Sequence, residues 1–336
     1  MVMNDCHNQL GASFGESLFF IVVGAALGIL AEPALAQAYP SRLVRIVVAF
    51  SPGGVPDILA RVLARELQTR LGPPVVVDNR QGGGGLIGSD AVAKAPADGY
   101  TLLLGSTGPQ AIAPALYAKF PYDPRKDLTP VSLVAKSGNV LLVNYALPAK
   151  NVKQLIALAK ARPGAMNYAS AGVGSSNHLS SAMLNQMAGI NVGHVPYKGD
   201  AQALPDVAAG QIEMMFASVP LAMSFAKSGK VIMLAVTTPR RLKPLPEVPT
   251  IAESGLPNYD FSTWYGVFVT GGTDSAIVEL LARETKRAFD IPEVKTQLIG
   301  LGVEAAPGSP AEFRKQVDDD LDKFAKAAKS MAISLE

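Results

Sequence analysis

The sequence predicts an α/β protein of two lobes, each a mostly parallel sheet flanked by helices. Short β-branched runs alternate with amphipathic helical segments along almost the whole chain, which implies parallel strands covered by helices on both faces. Turns rich in Gly or Ser follow strands in both halves of the chain. No low-complexity linker divides the halves, and two lobes joined by strands that cross and return account for that absence. With 336 residues, 49% hydrophobic and 17% charged, the chain is long and apolar enough for two real cores.

Taken in order, "VRIVVAF" (Val44 to Phe50) reads as a buried strand. The following helix carries Ile58, Leu59, Val62, Leu63, Leu67 and Leu71 on one face, with Pro56 opening it and Gly72 closing it. The strands "PVVVD", "TLLLGS", "NVLLVNY", "MNYAS", "NVGHVPY", "QIEMMFAS", "VIMLAVTT" and "TWYGVFVT" follow, separated by helices such as "VKQLIALAKARPG" and "SSNHLSSAMLNQMAG". "NVLLV" and "WYGVFV" are the candidate crossovers, placing residues 39–140 and 263–336 in lobe 1 and 141–262 in lobe 2. Two long helices close the chain; the second starts at Ser309, Pro310 and Glu312, a capping box with proline at the first helical position.

Residues 1–38 differ from the rest. "SLFFIVVGAALGILA" (Ser17 to Ala31) has the length of a signal-peptide apolar region and is short for a membrane span, and "AQA" ending at Ala38 fits a cleavage site. Cleavage near Ala38 and export to the periplasm are expected, although the segment lacks the usual basic start; an uncleaved anchor is the competing reading. Losing Asp5, Glu16 and Glu32 with no base moves the formal charge from +2 to +5. Such a mild, scattered balance suits small anions and gives no clustered basic face for nucleic acid. The only cysteine, Cys6, falls in the leader, so disulfides, thiolate metal sites and a cysteine nucleophile are not expected in the mature chain.

Gly83, Gly85 and Gly88 in "VVVDNRQGGGGLIGSDAV" fall on the G-x-G-x-x-G spacing of a dinucleotide turn. That fold wants the turn close after the first strand and an acid ending the second to hold a ribose. Here at least four residues separate "VVVD" from the glycines, and the next strand ends "LLLGSTGP" without an acid. A tight loop needing positive φ is the better reading, and no cofactor is expected. Strand-to-helix turns nonetheless collect exposed N–H groups and helix dipoles. Three are rich in Gly or Ser: "FSPGGVPD", "NRQGGGGLIGSD" and "SAGVGSSNH".

Those turns, with "ADGYTLLLGS", "YDPRKDLTPVSLVA", "HVPYKGDAQALPDVAAGQIEMMF", "LAVTTPRRLKPLPEVPTIAESGLP" and "WYGVFV", resemble the Bug family of extracytoplasmic solute receptors of tripartite tricarboxylate transporters, in order over nearly the whole mature chain. The resemblance implies a two-lobed periplasmic-binding-protein (type II, Venus-flytrap) fold. It implies a monomer that closes on a small carboxylate and hands it to membrane permease components. Carried over by position, it implies ligand contacts at Gly53, Gly54, Asp57 and Ser106 in one lobe. In the other it implies Ser170, Gly172, Ser175, Ser176 and His178, with Tyr197 and Lys198. Val55-Pro56, Ala217 and "VTGGTD" depart from the family pattern.

Several residues carry more than one reading. Asp57 reads equally as a ligand contact and as an acid favoured in the first turn of a helix. Lys198 is an anion partner or a solvated loop charge. His178 reads as a packing or capping residue, and His194 receives no role. The mature chain has no G-x-S-x-G nucleophile elbow and no metal-ligand spacing. A transport receptor, a secreted hydrolase of small acids and a receptor signalling to a membrane sensor kinase remain as functions. In the receptor reading the ligand carboxyl is held mainly by backbone N–H groups, with Gly54 and Gly172 at positive φ.

Overall fold

The structure, a computed structural model, describes residues 39–331. The expected leader and Cys6 lie outside the described residues.

The chain begins with Val44–Val48 (β1), Val55–Leu71 (α1), Val75–Asn79 (β2), Leu86–Ala93 (α2) and Thr101–Ser106 (β3). A π-helical turn over Gly108–Ile112 then runs into Ala113–Leu116 (α3), and Leu128–Ser137 (β4) follows. Next come Asn139–Asn144 (β5), Val152–Ala161 (α4), Asn167–Ser170 (β6), Ser176–Ala188 (α5) and Gly193–Pro196 (β7). After them stand Asp200–Ala209 (α6), Met214–Ser218 (β8), Val219–Ala226 (α7) and Val231–Val236 (β9). The chain closes with Thr263–Thr270 (β10), Ser275–Asp290 (α8), Pro292–Gly300 (α9), Val303–Ala305 (β11) and Pro310–Met331 (α10).

Two sheets organise these elements, ordered β11-β4-β10-β3-β1-β2 and β7-β6-β8-β5-β9. The α/β reading holds, but each sheet is mixed. β1 runs parallel to β2 and β3, and β6 parallel to β7 and β8, whereas β10 is antiparallel to β3 and β4, and β5 antiparallel to β8 and β9. The antiparallel strands are those by which the chain enters the second sheet and returns to the first. They therefore start at the level where their parallel neighbours end: Asn139 pairs with Ser218, and Tyr265 with Ser106. Neither strand is shared between sheets; the crossing occurs at Gly138 and over residues 237–262.

The two crossing segments are tied together at Thr237. Its hydroxyl accepts from the Asn139 amide (2.8 Å) and donates to the Phe261 carbonyl (2.7 Å), while its amide donates to Asn139 O (3.0 Å). A β-carbon on Gly138 would stand 2.6 Å from Thr238 Cγ2, so a larger residue there would have to push the Thr238 side chain aside.

Alternation along β5 feeds two cores. Leu141 and Val143 pack with α4, α5, Phe216 and Tyr259 on one face; Val140 and Leu142 pack with α6, α7 and Ala217 on the other. A strand buried on both faces reads as a continuous apolar run. α1 buries Val55, Leu59, Val62, Leu63 and Leu67, begins with proline and ends at Gly72 in positive φ; Ile58 and Leu71 sit at the margin of its stripe. The C-terminal region has three helices where two were expected, because Pro292 starts a new one after Ile291. The Ser309–Glu312 capping box is formed in both directions.

Candidate ligand-binding site

A cavity enclosing about 430 Å³ of space, its open mouth included, lies where the strand ends of the two sheets meet. The lobe of the first sheet supplies Phe50, Ser51, Gly54, Pro56 and Ser106 from strand ends and the start of α1, and Thr263 and Tyr265 from the start of β10. The other lobe supplies Asn139 from the start of β5, and Ala171, Ser176 and Asn177 around the start of α5. Asp200 opens α6, and Ser218 and Leu221 come from the start of α7.

Four helix N-termini thus converge on one space. The first amides of a helix have no intrahelical acceptor and carry the positive end of its dipole. Ser176 and Asn177 are the first two residues of α5, capped by Ser175, whose hydroxyl accepts from His178 N. No Lys, Arg or His lines the cavity among the described residues. The positive potential in the cavity therefore comes from backbone amides.

Of the expected contacts, Gly54, Ser106 and Ser176 line the cavity. The others stand outside its wall, for local reasons. Asp57 is buried in the first turn of α1, accepting from Gly53 N (3.0 Å), Arg61 Nε (3.0 Å) and Asn79 Nδ2 (3.1 Å). Burial alone would raise its pKa, but the hydrogen bonds from Arg61, Gly53 and Asn79 and the Arg61 charge outweigh burial and hold it below the usual carboxylate value. Gly53 thereby spends its N–H. It also holds the positive φ of this turn (84°), whereas Gly54 is extended at φ −79°; the positive φ expected at Gly54 belongs to its neighbour.

In the second turn, Ser170 is fully buried and accepts from Gly172 N (3.0 Å). Ser175 donates to Gly172 O (2.6 Å), and Gly174 N donates to His178 Nδ1 (3.3 Å). The backbone donors of Gly172 and Gly174 are consumed within their own loop. Tyr197 donates to Asp206 (2.5 Å), and burial together with that carboxylate pushes its pKa up to about 12. Lys198 is exposed.

His178 and His194 stack with ring centroids 4.3 Å apart, and Tyr168 stacks on His194 at 4.9 Å. Burial pushes both pKa values down to about 4, with the charge of His178 adding to the effect on His194. His194 Nε2 lies 2.6 Å from Ser170 Oγ, a partner that sequence did not suggest. The pair makes no nucleophile facing the cavity, since Ser170 has no exposed surface and lies outside the wall. The pair therefore braces the loop.

The glycine stretch has a steric role. Gly82 to Gly85 all take positive φ, and a β-carbon on Gly84 would overlap the carbonyl oxygen of Val173 in the opposite lobe. One on Gly88 would stand 2.8 Å from Ala49 Cα, so α2 lies directly on the strand.

Sequence reasoning missed Asn139, Asn177, Asp200, Ser218, Thr263 and Tyr265. Their signal was position at the starts of crossing strands and of helices α5, α6 and α7, readable only once strand direction is known.

The family model for the tripartite tricarboxylate transporter family receptor matches residues 59–333. The chain is 40% identical over 310 residues to the UPF0065 protein in the tcbD-tcbE intergenic region of Pseudomonas sp. (strain P51), covering 91% of this chain and 92% of that protein. It is 37% identical to Protein BugT of Bordetella pertussis, covering 91% and 94%. Among solved structures, R. palustris Rpa4515 with adipate superposes with a TM-score of 0.84 at 36% identity, over 88% of this chain and 99% of that one. With a match of this extent behind it, the chain belongs to the receptor family of the tripartite tricarboxylate transporters.

Proposed function

We propose that this protein is a periplasmic receptor that captures a small carboxylate between its two lobes and delivers it to the membrane permease components of a tripartite tricarboxylate-type transporter. The convergence of four helix N-termini on a cavity without a cationic side chain carries the reading, because such termini bind anions through backbone N–H groups and dipoles. The adipate bound by the R. palustris relative supports the ligand class. Gly54, Ser106 and Ser176 contact the ligand directly; Gly53, Asp57, Ser170, Gly172, Ser175 and His178 set the shape of the two turns. The lobes close about the crossing at Gly138 and Thr237, with Asn139 and Val140 joining the lobe of residues 141–262 because β5 starts at Asn139. The protein acts as a monomer and performs no chemistry on its ligand.

Mass spectrometry of ligand co-purified with the native protein, followed by isothermal titration with the compound found, tests the reading. One carboxylate bound per chain and recovered unchanged is expected; its conversion would identify a hydrolase. Export is checked by sequencing the N-terminus of protein from a periplasmic extract. A start at Tyr39 is expected, and an intact Met1 or a membrane-pelleted protein would contradict it.

A further inference from the structure

Asp200 is the one formally charged side chain in the cavity wall among the described residues. The dipole of α6 favours an acid in its first turn, but this one also faces the ligand space. Its structural role accounts for one oxygen, since Oδ2 accepts the Ser218 amide at 2.9 Å. No cationic side chain shares the wall to neutralise it, and an uncompensated charge withdrawn from water is costly. Burial accordingly raises its pKa, against hydrogen bonds from Ser218 and Asn177 that lower it.

Two hydroxyls stand with it on the wall: Thr263 Oγ1 has no hydrogen bond and Ser218 Oγ no partner other than the Asp200 carboxylate beside it, although Ser218 is 7% and Thr263 1% exposed. Buried hydroxyls are normally satisfied, and these come from opposite lobes. The cavity is therefore polarised. At the starts of α1 and α5 no acid faces inward, since Asp57 is turned to Arg61 and Asn79. Around the starts of α6, α7 and β10 stand a carboxylate and two hydroxyl oxygens with accepting capacity to spare.

We propose that Asp200, Ser218 and Thr263 form a subsite for a protonated amine, so that the captured ligand is a zwitterionic amino carboxylate with its carboxyl group at α1 and α5. An ammonium group carries three N–H donors and no acceptor, and these residues offer three oxygens and the missing counter-charge. The inference rests on the carboxylate-receptor reading and adds the ligand's other end.

Isothermal titration of the purified protein at pH 7 tests it, comparing β-alanine, 4-aminobutyrate and 6-aminohexanoate with malonate, succinate and adipate, and alanine with propionate. At least one amino carboxylate is expected to bind about ten- to a hundredfold more tightly than its amine-free counterpart, the worth of a hydrogen bond to a charged group. Asp200→Asn keeps an acceptor for the Ser218 amide while removing the charge, and is expected to erase that preference. Thr263→Val is expected to weaken the amine-bearing ligand about tenfold without lowering thermal stability, because its hydroxyl has no partner to lose. Binding of dicarboxylates alone would overturn the amine subsite and leave the carboxylate receptor standing. Failure of both classes would overturn both. A preference unchanged in Asp200→Asn or Thr263→Val would place the amine elsewhere and overturn the assignment.

Discussion

Gly172 and Gly84 face each other across the two lobes so closely that a β-carbon on Gly172 would stand 2.6 Å from the Gly84 amide nitrogen. Gly172 also holds φ at 113°, a conformation that side chains resist. Both reasons for glycine act where the lobes touch. Gly172→Ala is expected to retain the fold by circular dichroism and to weaken carboxylate binding at least tenfold, because the turns can no longer meet in this arrangement. Scattering should show less compaction on ligand addition than in the parent protein. Unchanged affinity would mean that the contact of the turns plays no part in closure.

Ser175 and Ser176 are adjacent yet differ in kind. Ser175 caps α5 and bonds within its loop, whereas Ser176 lines the cavity. Ser175→Ala is expected to lower stability by about 1 kcal/mol, the usual worth of such a cap, and to change affinity little. Ser176→Ala should do the reverse, with a binding loss up to the ~1.5–3 kcal/mol of a hydrogen bond to a charge. Denaturant titration and calorimetry on both variants decide it.

Thr237 joins the crossing segments through both sides of its hydroxyl. Thr237→Val keeps the shape and strands two buried backbone groups, each costing about 1–3 kcal/mol. Urea unfolding is expected to show a loss of that size or somewhat more, and a loss below ~0.5 kcal/mol would mean the crossing is held elsewhere.

The stacked histidines fix a pH dependence. A histidine whose folded pKa lies at about 4 and whose unfolded value is about 6.5 binds protons preferentially in the unfolded chain. Stability is therefore full above about pH 6.5 and falls as the pH drops toward 4, where His178 alone accounts for on the order of 3 kcal/mol. Protonation would also deprive Gly174 N of its acceptor. Unfolding free energies measured between pH 7 and pH 4 should show this decline, with a shallower slope in His194→Gln; a flat profile would mean the rings are hydrated.

What the sequence revealed was local. The apolar stripe of α1, its proline and glycine ends, and the Ser309–Glu312 box depend on near neighbours, and all are formed. The ten-residue β4 was illegible because Pro130 interrupts it. The strand persists because its pairing with β10 shifts register between Val267 and Phe268, and β11 reaches only residues 135–137. At the site, turns after parallel strands were legible, yielding Gly54, Ser106 and Ser176. Asn139, Thr263 and Tyr265 were not, since they start strands whose reversed direction depends on how the chain crosses between sheets. Asp57, Ser170 and Tyr197 have the right chemistry for ligand contact, but their side chains are satisfied by Arg61, Gly172 and Asp206.

The most direct measurement is a crystal structure with a bound small carboxylate. The carboxyl group is expected between the starts of α1 and α5, its oxygens within about 3 Å of the first amides of α5 at Ser176 and Asn177. A carboxyl group found instead against Lys198 or Tyr197, or outside the cavity, would contradict an anion site built from helix N-termini.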